Sequence, residues 1–249
     1  MLIALKNICK GFAGVEVLKN VSLSIASGEI RCLAGENGCG KSTLIKILSG
    51  VYTPDAGSIA LWGREYRALR PIDAIRGGVQ VIYQDFSLFP NLTVAENLAL
   101  NTQVSKGKTF VDWKEMRTTA SESLEEIGVS IDLKKLVGDL SVADKQIVAI
   151  ARALLHNARL IVMDEPTTAL TQKEVGALFS IIKKLKEAGI SILFVSHKMR
   201  EMLDISEKIT IMRNGAIVSE GEMEKYDARA ITYHMTGHSI DEVRFEGAA

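Results

Sequence analysis

Cysteine is scarce in this sequence of 249 residues, which contains only Cys9, Cys32 and Cys39. Their number is odd and their spacing is not that of metal ligands, so the sequence favours reduced thiols over a disulfide framework or a zinc site. Reduced thiols are typical of a cytoplasmic protein.

Long hydrophobic runs are also missing, although 47% of the residues are hydrophobic. The longest apolar runs are far shorter than the roughly 20 residues that a membrane-spanning helix needs. No N-terminal stretch has the charged, apolar and small-residue order of a signal peptide. We therefore expect that the chain does not cross a membrane by itself.

An excess of charge of either sign is absent, because 30 basic and 30 acidic side chains cancel. Without a net field, the protein has no long-range attraction to nucleic acid or to an anionic membrane surface. The sequence also contains no internal repeat and no low-complexity segment. Its length and hydrophobic content are enough for one large domain, or two small ones, with a sizeable core.

What the sequence does contain is a set of short apolar runs that each stop at polar residues. The runs and their polar stops are 30–34 before GENGCGKST, 79–83 before Gln84, 160–163 before Asp164 and Glu165, and 192–196 before His197. Continuous apolar runs of this length predict strands that are buried on both faces, as in a parallel sheet. Because the carboxyl ends of parallel strands share one edge, we expect the polar stops to gather there.

Helical patterns lie between these runs, so the predicted fold class is α/β. A helix that begins at Lys41 would place Leu44, Ile47 and Leu48 on one face. A second helix begins at Gln172, and Gly189 is placed to end it. The alternation of strands and helices predicts an open sheet with ligands outside the carboxyl ends of its strands.

Short strands outside this alternation predict a small antiparallel layer. Residues 15–17, 21–25 and 58–62 have the apolar character of such strands. Near the end of the chain, the dipeptide Asn214-Gly215 lies between apolar residues. It predicts a hairpin with a type I′ turn.

A helical insertion is predicted between the strands of the core. The segment TVAE, which begins at Thr93, has the spacing of a capping box, and a further helix begins at Asp112 and ends at Gly128. We therefore predict one domain over residues 1–249, with an α/β core and antiparallel layer at 1–92 and 158–222, a helical subdomain at 93–157, and a helical tail at 223–249.

The segment GENGCGKST fits the P-loop pattern G-x-x-x-x-G-K-[ST] and lies between a predicted strand and a predicted helix. Its glycines let backbone N–H groups point towards phosphate, and the helix N-terminus adds a partial positive charge. Lys41 is expected to reach the β- and γ-phosphates, and the Ser42 hydroxyl to hold Mg²⁺. A glycine-rich turn that fits by chance is the alternative. The candidate nucleotide-binding residues are Gly35, Glu36, Asn37, Gly38, Cys39, Gly40, Lys41, Ser42 and Thr43.

Cys39 lies within this loop, where backbone amides and the ammonium of Lys41 are expected to favour its thiolate form. Maleimide modification of the thiol is expected to block nucleotide binding. Bound MgATP is expected to slow that modification.

The segment LIVMDEP at residues 160–166 supplies a second motif. Asp164, at the end of a buried strand, is expected to bind Mg²⁺, and Glu165 is expected to polarise an attacking water. An Asp-Glu pair at a strand end is often only a helix cap, but the preceding P-loop favours the catalytic role.

Three further residues are candidates for the same site. Gln84 follows a strand on the same edge and could contact Mg²⁺ and the water, or be a solvated loop residue. His197 could bond the γ-phosphate, or be a structural histidine. Phe12 could stack on adenine, or belong to the core.

The order of these elements resembles the nucleotide-binding subunits of ABC transporters over nearly the whole chain. The P-loop, Gln84, the segment LSVADKQIVAIARAL, LIVMDEP and His197 follow one another as in that family. The segments GENGCGKS, LSVAD and TTALTQKEV are most similar to the importers of ribose, galactose and related monosaccharides. The resemblance implies a P-loop NTPase core of the RecA type, and a subunit that hydrolyses ATP with Mg²⁺ to power sugar import.

The resemblance also implies partners. An integral-membrane permease would meet the helical insertion and the loop from Gln84 through Asn97, and a second nucleotide-binding cassette would close over the nucleotide. A sugar-binding protein would act indirectly, through the permease, and no nucleic acid is expected. Such a subunit is peripheral, at the cytoplasmic face of the inner membrane. Core packing is the alternative for the apolar side chains of residues 85–90.

The segment LSVAD at residues 140–144 departs from the family's LSGGQ. Ser141 can cap its helix and offer a hydroxyl to phosphate. Val142 and Ala143 add Cβ atoms that restrict how closely the backbone approaches phosphate, and Asp144 adds negative charge. An ordinary capped helix is one interpretation. The resemblance implies another, because monosaccharide importers usually join two cassettes in one chain and the first has an intact P-loop with a degenerate signature. This chain then corresponds to the N-terminal half.

Two other functions fit part of the pattern. A soluble ABC ATPase that acts on DNA or ribosomes would share these motifs, but the neutral charge offers no footprint for a phosphate backbone, and the long coiled-coil insertion of repair members is missing. A small-molecule kinase would share the P-loop but would give no role to Gln84 or to residues 140–146.

Overall fold

The computed structural model describes residues 3–105 and 111–238. Its strands are β1 (Ile3–Phe12), β2 (Val15–Ile25), β3 (Ile30–Gly35), β4 (Ala56–Leu61), β5 (Arg64–Tyr66), β6 (Val79–Ile82), β7 (Leu160–Asp164), β8 (Ser191–Val195), β9 (Lys208–Arg213) and β10 (Ala216–Glu222). Its helices are α1 (Lys41–Leu48), α2 (Pro71–Arg76), α3 (Val94–Ser105), α4 (Trp113–Glu126), α5 (Val142–Leu155), α6 (Gln172–Glu187), α7 (Met199–Ile205) and α8 (Ala228–Thr236).

The larger sheet has six strands in the order β10-β9-β3-β8-β7-β6. Every neighbouring pair from β9 to β6 is parallel, and only β10 is antiparallel to its neighbour. The four predicted apolar runs are β3, β6, β7 and β8. Strands β3 and β8 are buried along their whole length, as expected for a parallel sheet that is covered on both faces. The predicted α/β class is confirmed.

The carboxyl ends of these strands are level with one another. Val195 of β8 pairs with Leu33 of β3 on one side and with Asp164 of β7 on the other, and Met163 pairs with Ile82 of β6. The segments that follow the strands therefore leave the sheet at one edge, and this edge carries the candidate site.

The hairpin between β9 and β10 touches the loop after β3. Asn214 and Gly215 have φ angles of 51° and 84°, as a type I′ turn requires, so the predicted hairpin is confirmed. The N–H of Gly215 donates to the carbonyl of Cys39 at 3.2 Å, and its carbonyl accepts from the N–H of Lys19 at 2.8 Å. The turn thus links the candidate phosphate loop to β2.

The smaller sheet is antiparallel, with the strand order β2-β1-β4-β5. The predicted layer is confirmed, but the division at residues 15–17 and 21–25 is wrong, because both segments belong to β2. Its pairing with β1 is irregular near Asn20, whose φ is 55°. This irregularity interrupts the alternation of side chains and makes one bulged strand look like two.

Helices α3, α4 and α5 share one hydrophobic cluster. Both predicted helix starts are confirmed. The N–H of Thr93 donates to Oε2 of Glu96 at 2.7 Å and the N–H of Glu96 donates to Oγ1 of Thr93 at 3.3 Å, which together form a capping box. Asp112 accepts from two N–H groups in the first turn of α4. Gly128, with φ of 75°, follows the end of α4 as predicted.

Helix α8 packs on β9 near the end of the described chain. The predicted helical tail begins with a 3₁₀ turn at Met223–Lys225 and continues as α8, and residues 239–249 of that prediction lie outside the described residues. Within the described ranges, no helix combines the length and the apolar character that crossing a bilayer requires.

Candidate functional site

A cavity of about 270 Å³ lies at the edge where β3 and β7 end. It is lined by Val17, Asn37, Gly38, Gly40, Lys41, Ser42, Thr43, Asp164 and Glu165. Apart from Val17, each of these residues is a site residue predicted from the sequence. The fold therefore brings the two predicted motifs, which are more than a hundred residues apart, to the wall of one cavity.

The loop between β3 and α1 turns through glycines in left-handed conformations. Gly38 and Gly40 have φ angles of 81° and 107°. A Cβ on Gly40 would lie 2.7 Å from Cδ2 of Leu18, whereas a Cβ on Gly38 would meet no atom within 4 Å. The space beside Gly38 can therefore receive a ligand. Helix α1 begins directly after Gly40 and has no acidic side chain in its first turn, so its partial positive charge favours an anion there.

The ammonium group of Lys41 lies against the inside of this loop. Its Nζ atom donates to the carbonyls of Gly35 and Glu36 at 2.8 and 2.9 Å, and the residue is only 7% exposed. Among the residues that the structure describes, no carboxylate bonds this buried ammonium group, which suits it to a phosphate, whose oxygens are stronger acceptors than carbonyls.

The prediction that Cys39 favours its thiolate form is wrong. The residue is buried, and its Sγ atom lies 3.9 Å from Nζ of Lys41. Burial raises the pKa of the thiol, and the charge of Lys41 only partly offsets this. Desolvation thus outweighs one nearby cation. The sulfur packs over Gly35, where a Cβ would come within 2.6 Å of it.

Asp164 ends β7 and lines the cavity, and no Lys or Arg side chain of the described residues forms an ion pair with it. Burial raises the pKa of its carboxyl group, the charge of Glu165 raises it further, and the charge of Lys41 lowers it. A buried carboxylate is costly to keep charged, and a metal ion beside it stabilises the charged form. Oxygen ligands suit Mg²⁺, and the Ser42 hydroxyl lines the same cavity. The two residues therefore fit a magnesium ion.

Glu165 is held in an unusual backbone conformation, with φ of 49°. Its N–H donates to the carbonyl of Val195 at 3.0 Å, which extends the pairing of β7 with β8 by one residue. Its Oε1 atom lies 2.9 Å from Nδ1 of His197. The hydroxyl of Thr168 donates to the Glu165 carbonyl at 3.1 Å. These contacts orient the carboxylate at the edge of the sheet.

A second cavity, of about 190 Å³, shares Asp164 and Glu165 with the first. It is lined by Tyr83, Gln84, Phe86, Val142, Gln146, Asp164, Glu165, Pro166, Thr168 and Ala169. Gln84 is therefore brought to Asp164 and Glu165 as predicted. Val142 and Gln146 of α5 line the same cavity, so one residue of the LSVAD segment shares a cavity wall with the acidic pair of its own chain.

Ser141 caps α5 but does not line either cavity. Its Oγ atom accepts from the N–H of Asp144 at 3.1 Å and donates to Oδ2 of Asp144 at 2.8 Å. The predicted helix cap is confirmed. The hydroxyl is engaged with a carboxylate, and its contact with phosphate stays a prediction.

Phe12, at the end of β1, also lies outside the cavity walls. It is 39% exposed, so the alternative that placed it in the core is wrong. Its ring meets the ring of Tyr52 edge to face, with 5.2 Å between their centres. Stacking of Phe12 on adenine stays a prediction.

The loop at residues 85–90 is partly packed. Phe86 and Leu88 contact the cluster shared by α3, α4 and α5, so the core-packing alternative holds for these two. Arg152 of α5 donates to the carbonyls of Phe86 and Ser87 at 3.1 and 2.8 Å. Phe89 is 58% exposed, so this apolar side chain of the loop is left largely uncovered.

Val17, Thr168 and Gln146 are among the residues of the two cavity walls that were not predicted. Val17 is one of many apolar residues in a strand, and no sequence signal separates it from them. Thr168 lies two residues after Pro166 of the LIVMDEP segment. Its polar side chain so close to that motif could have indicated a place in the site. Gln146 stands on the apolar face of α5, and a polar residue among apolar ones was a signal as well.

The ABC transporter family model matches residues 18–168. This range begins in the antiparallel layer and includes the P-loop, Gln84, the LSVAD segment and the Asp164–Glu165 pair. The chain belongs to the ABC transporter family.

Two curated relatives are ribose import ATP-binding proteins. The chain is 41% identical over 242 residues to "Ribose import ATP-binding protein RbsA 2" of Streptomyces avermitilis, which covers 97% of this chain and 48% of that protein. It is 42% identical over 243 residues to "Ribose import ATP-binding protein RbsA" of Bacillus cereus, with 97% and 49% covered. The chain therefore spans about half the length of the curated relatives it matches.

Solved ATP-binding cassettes have the same fold. The ADP conformation of the cassette MJ1267 superposes with a TM-score of 0.80 at 26% identity, with 98% of both chains covered. The dimeric post-hydrolysis structure of the cassette MJ0796, bound to ADP and Pi, superposes with a TM-score of 0.77 at 28% identity, with 89% of this chain and 99% of that chain covered.

Proposed function

We propose that this chain is a nucleotide-binding cassette that binds MgATP and hydrolyses it to power the import of a monosaccharide through a separate membrane permease. The observation that carries the proposal is the cavity lined jointly by Lys41, Ser42, Asp164 and Glu165, with His197 bonded to Glu165. The names of the relatives specify ribose import and give no support to a role on nucleic acid or ribosomes.

In this proposal, the loop at residues 35–43 binds the phosphates with its N–H groups and with Lys41. Ser42 and Asp164 hold Mg²⁺, and Gln84 contributes from the second cavity. When bound, Mg²⁺ neutralises negative charge on the phosphate oxygens. Phe12 stacks on the adenine ring from the antiparallel layer.

The chemistry of hydrolysis falls to Glu165 and His197. The carboxylate of Glu165 orients the attacking water and accepts its proton. Because Nδ1 of His197 bonds the Glu165 carboxylate, Nε2 is the ring nitrogen that faces the γ-phosphate, and it donates there when both ring nitrogens carry a proton. Positioning and charge stabilisation account for most of the catalysis in phosphoryl transfer, and the contact between the two side chains supports both.

The proposal includes partners. The region at residues 93–157 and the exposed Phe89 meet the permease, and a sugar-binding protein acts on the far side of it. The protein is peripheral, at the cytoplasmic face of the inner membrane. A second cassette closes over the ATP with an intact signature, because Val142, Ala143 and Asp144 limit how well LSVAD can contact phosphate. This chain then works as the first of two cassettes.

Calorimetry tests the proposed phosphate site. Lys41→Ala should weaken MgATP binding at least tenfold in calorimetry, whereas Lys183→Ala, which removes an exposed lysine of α6, should leave it unchanged. If Lys41→Ala and the parent bound MgATP with equal affinity, the proposed phosphate site would be refuted.

The split signature is tested separately. Steady-state ATPase activity should be low for the parent chain at all protein concentrations. It should rise with concentration for the triple variant Val142→Gly, Ala143→Gly, Asp144→Gln, because glycines let the backbone approach phosphate more closely. Strong, concentration-dependent hydrolysis by the parent would show that LSVAD is a working contact.

A further inference from the structure

The loops that carry Glu165 and His197 are joined by a buried network of side chains. Strands β7 and β8 pair through Asp164 and Val195, and the N–H of Glu165 bonds the carbonyl of Val195. Beyond that bond, backbone pairing gives way to side-chain contacts. The position of the Glu165 carboxylate relative to the His197 ring therefore depends on what holds the two loops together.

One carboxylate bonds both loops. Oε2 of Glu201, in α7, accepts from the hydroxyl of Thr167 at 2.5 Å and from the hydroxyl of Ser196 at 3.2 Å. Thr167 is the second residue after Glu165, and Ser196 directly precedes His197. A single oxygen atom thus fixes one point on each loop, close to Glu165 on one and to His197 on the other.

Lys198 completes the network. Its Nζ atom lies 3.1 Å from Oε1 of Glu201 and donates to the carbonyl of Thr167 at 2.9 Å. Its backbone N–H donates to Oγ of Ser196 at 3.0 Å. Both carboxylate oxygens of Glu201 are therefore bonded, and the residue following His197 is held to the Glu165 loop as well.

Burial restricts the side chains of this network to one arrangement. Glu201, Thr167 and Ser196 are 7%, 1% and 2% exposed. A buried carboxylate is tolerated only when it is paired and hydrogen bonded, and here the pairing fixes the directions of two hydroxyl groups. An apolar side chain at position 201 would fill the space but could not direct either loop.

We infer that Glu201 is a positioning residue that sets the separation of Glu165 and His197. It acts through Thr167 and Ser196 and takes no part in binding phosphate. The inference rests on the proposed function, in which Glu165 is the catalytic carboxylate. A misplacement of about 1 Å can lower a rate about a hundredfold, so loosening these bonds should lower turnover and leave ATP affinity almost unchanged.

The test that does not depend on turnover is an NMR spectrum of the full chain with ¹³C-labelled histidine. The chain has four histidines, and His197→Ala assigns the Cε1–Hε1 signal of His197. Glu165→Ala records the position of that signal when the contact is lost. Glu201→Ala should move the signal towards that position, and Thr167→Val and Glu201→Gln should move it part of the way.

Asp204→Asn is the matched control, because Asp204 is an exposed carboxylate on the same helix. It should leave the His197 signal in place. If Glu201→Ala lowered the melting temperature while Thr167→Val and Glu201→Gln left the His197 signal where it is in the parent, Glu201 would be a structural residue and the inference would be overturned. Should Glu201→Ala fail to fold, the two milder variants decide the question.

The second test separates kcat from ATP affinity. In the assembly in which the parent hydrolyses ATP, Glu201→Ala should lower kcat at least tenfold and change the Kd for ATP less than threefold. Parent-like kcat in Glu201→Ala would contradict the inference alone. Failure of the parent to bind or hydrolyse ATP would contradict the proposed function, and the NMR result would still decide the role of Glu201.

Discussion

The Nδ1 atom of His197 lies 2.9 Å from Oε1 of Glu165, although 32 residues separate them in the chain. Helix α6 and strand β8 lie between them, and the pairing of β7 with β8 brings both residues to one edge of the sheet. Each of these two side chains, taken alone, gives a weak sequence signal for catalysis. In the fold they form one hydrogen-bonded pair. An acidic group and an imidazole at hydrogen-bond distance can orient a water and move a proton.

Glu165→Gln should keep MgATP binding and lower turnover at least a hundredfold, because the amide preserves the shape but cannot accept a proton from water. Calorimetry and phosphate release in an assembled transporter would measure the two effects. Glu174→Gln, a change at the half-buried capping carboxylate of α6, is the control for loss of charge. Parent-like hydrolysis by Glu165→Gln would refute the assignment.

Cys39 should react slowly with maleimide at neutral pH, and more slowly than Cys9, which is less buried. The reactive species is the thiolate, and burial raises the pKa of the Cys39 thiol. The labelling rate should therefore keep rising with pH beyond the range in which an ordinary thiol is already ionised. Bound MgATP should slow it further. Fast labelling at pH 7, with or without nucleotide, would contradict the burial argument.

Asp164→Asn should stabilise the chain in the absence of nucleotide and metal at pH 7. Burial raises the pKa of Asp164, so the folded state binds this proton more tightly than the unfolded state does. That contribution to stability is present below the ordinary aspartate pKa and is lost as pH rises through the folded pKa. The gain from asparagine should therefore shrink as pH falls towards about 4.

Thermal unfolding at several pH values measures this difference. Asp73→Asn is the control of opposite sign, because the hydrogen bond from Arg70 lowers the pKa of Asp73, and its removal should not stabilise the chain at pH 7. A lower melting temperature for Asp164→Asn at pH 7 would show that the charged Asp164 carboxylate does not destabilise the folded chain.

Gln146→Met should raise the free energy of unfolding by about 1 kcal/mol. Gln146 is 1% exposed, and neither its Nε2 nor its Oε1 atom has a hydrogen-bond partner among the described residues. Methionine has a similar volume and leaves no unpaired polar atom. Urea unfolding would measure the change.

The control for this prediction is Gln103→Met. Gln103 is also buried, but its Nε2 atom donates to Glu115 at 3.0 Å, so its replacement should destabilise the chain. Equal destabilisation by both changes would show that Gln146 is paired in solution, with water or with a neighbouring loop.

The sequence by itself determined the features that depend on local chemistry. Helix starts at Thr93 and Asp112 follow from side chains that bond the backbone a few residues away, and the hairpin at Asn214-Gly215 follows from backbone angles that few residues adopt. Apolar runs with polar stops predicted the parallel sheet and the edge that carries the candidate site. Each of these signals lies within one short segment.

Only the tertiary structure decided features that depend on burial and on distant partners. A bulge near Asn20 joined two predicted strands into β2, and burial raised the pKa of Cys39 although Lys41 lies beside it. The bond between Thr167 and Glu201 spans 34 residues and leaves no pattern in either segment. Desolvation and long-range hydrogen bonding are set by what packs against a group, and local sequence does not specify those neighbours.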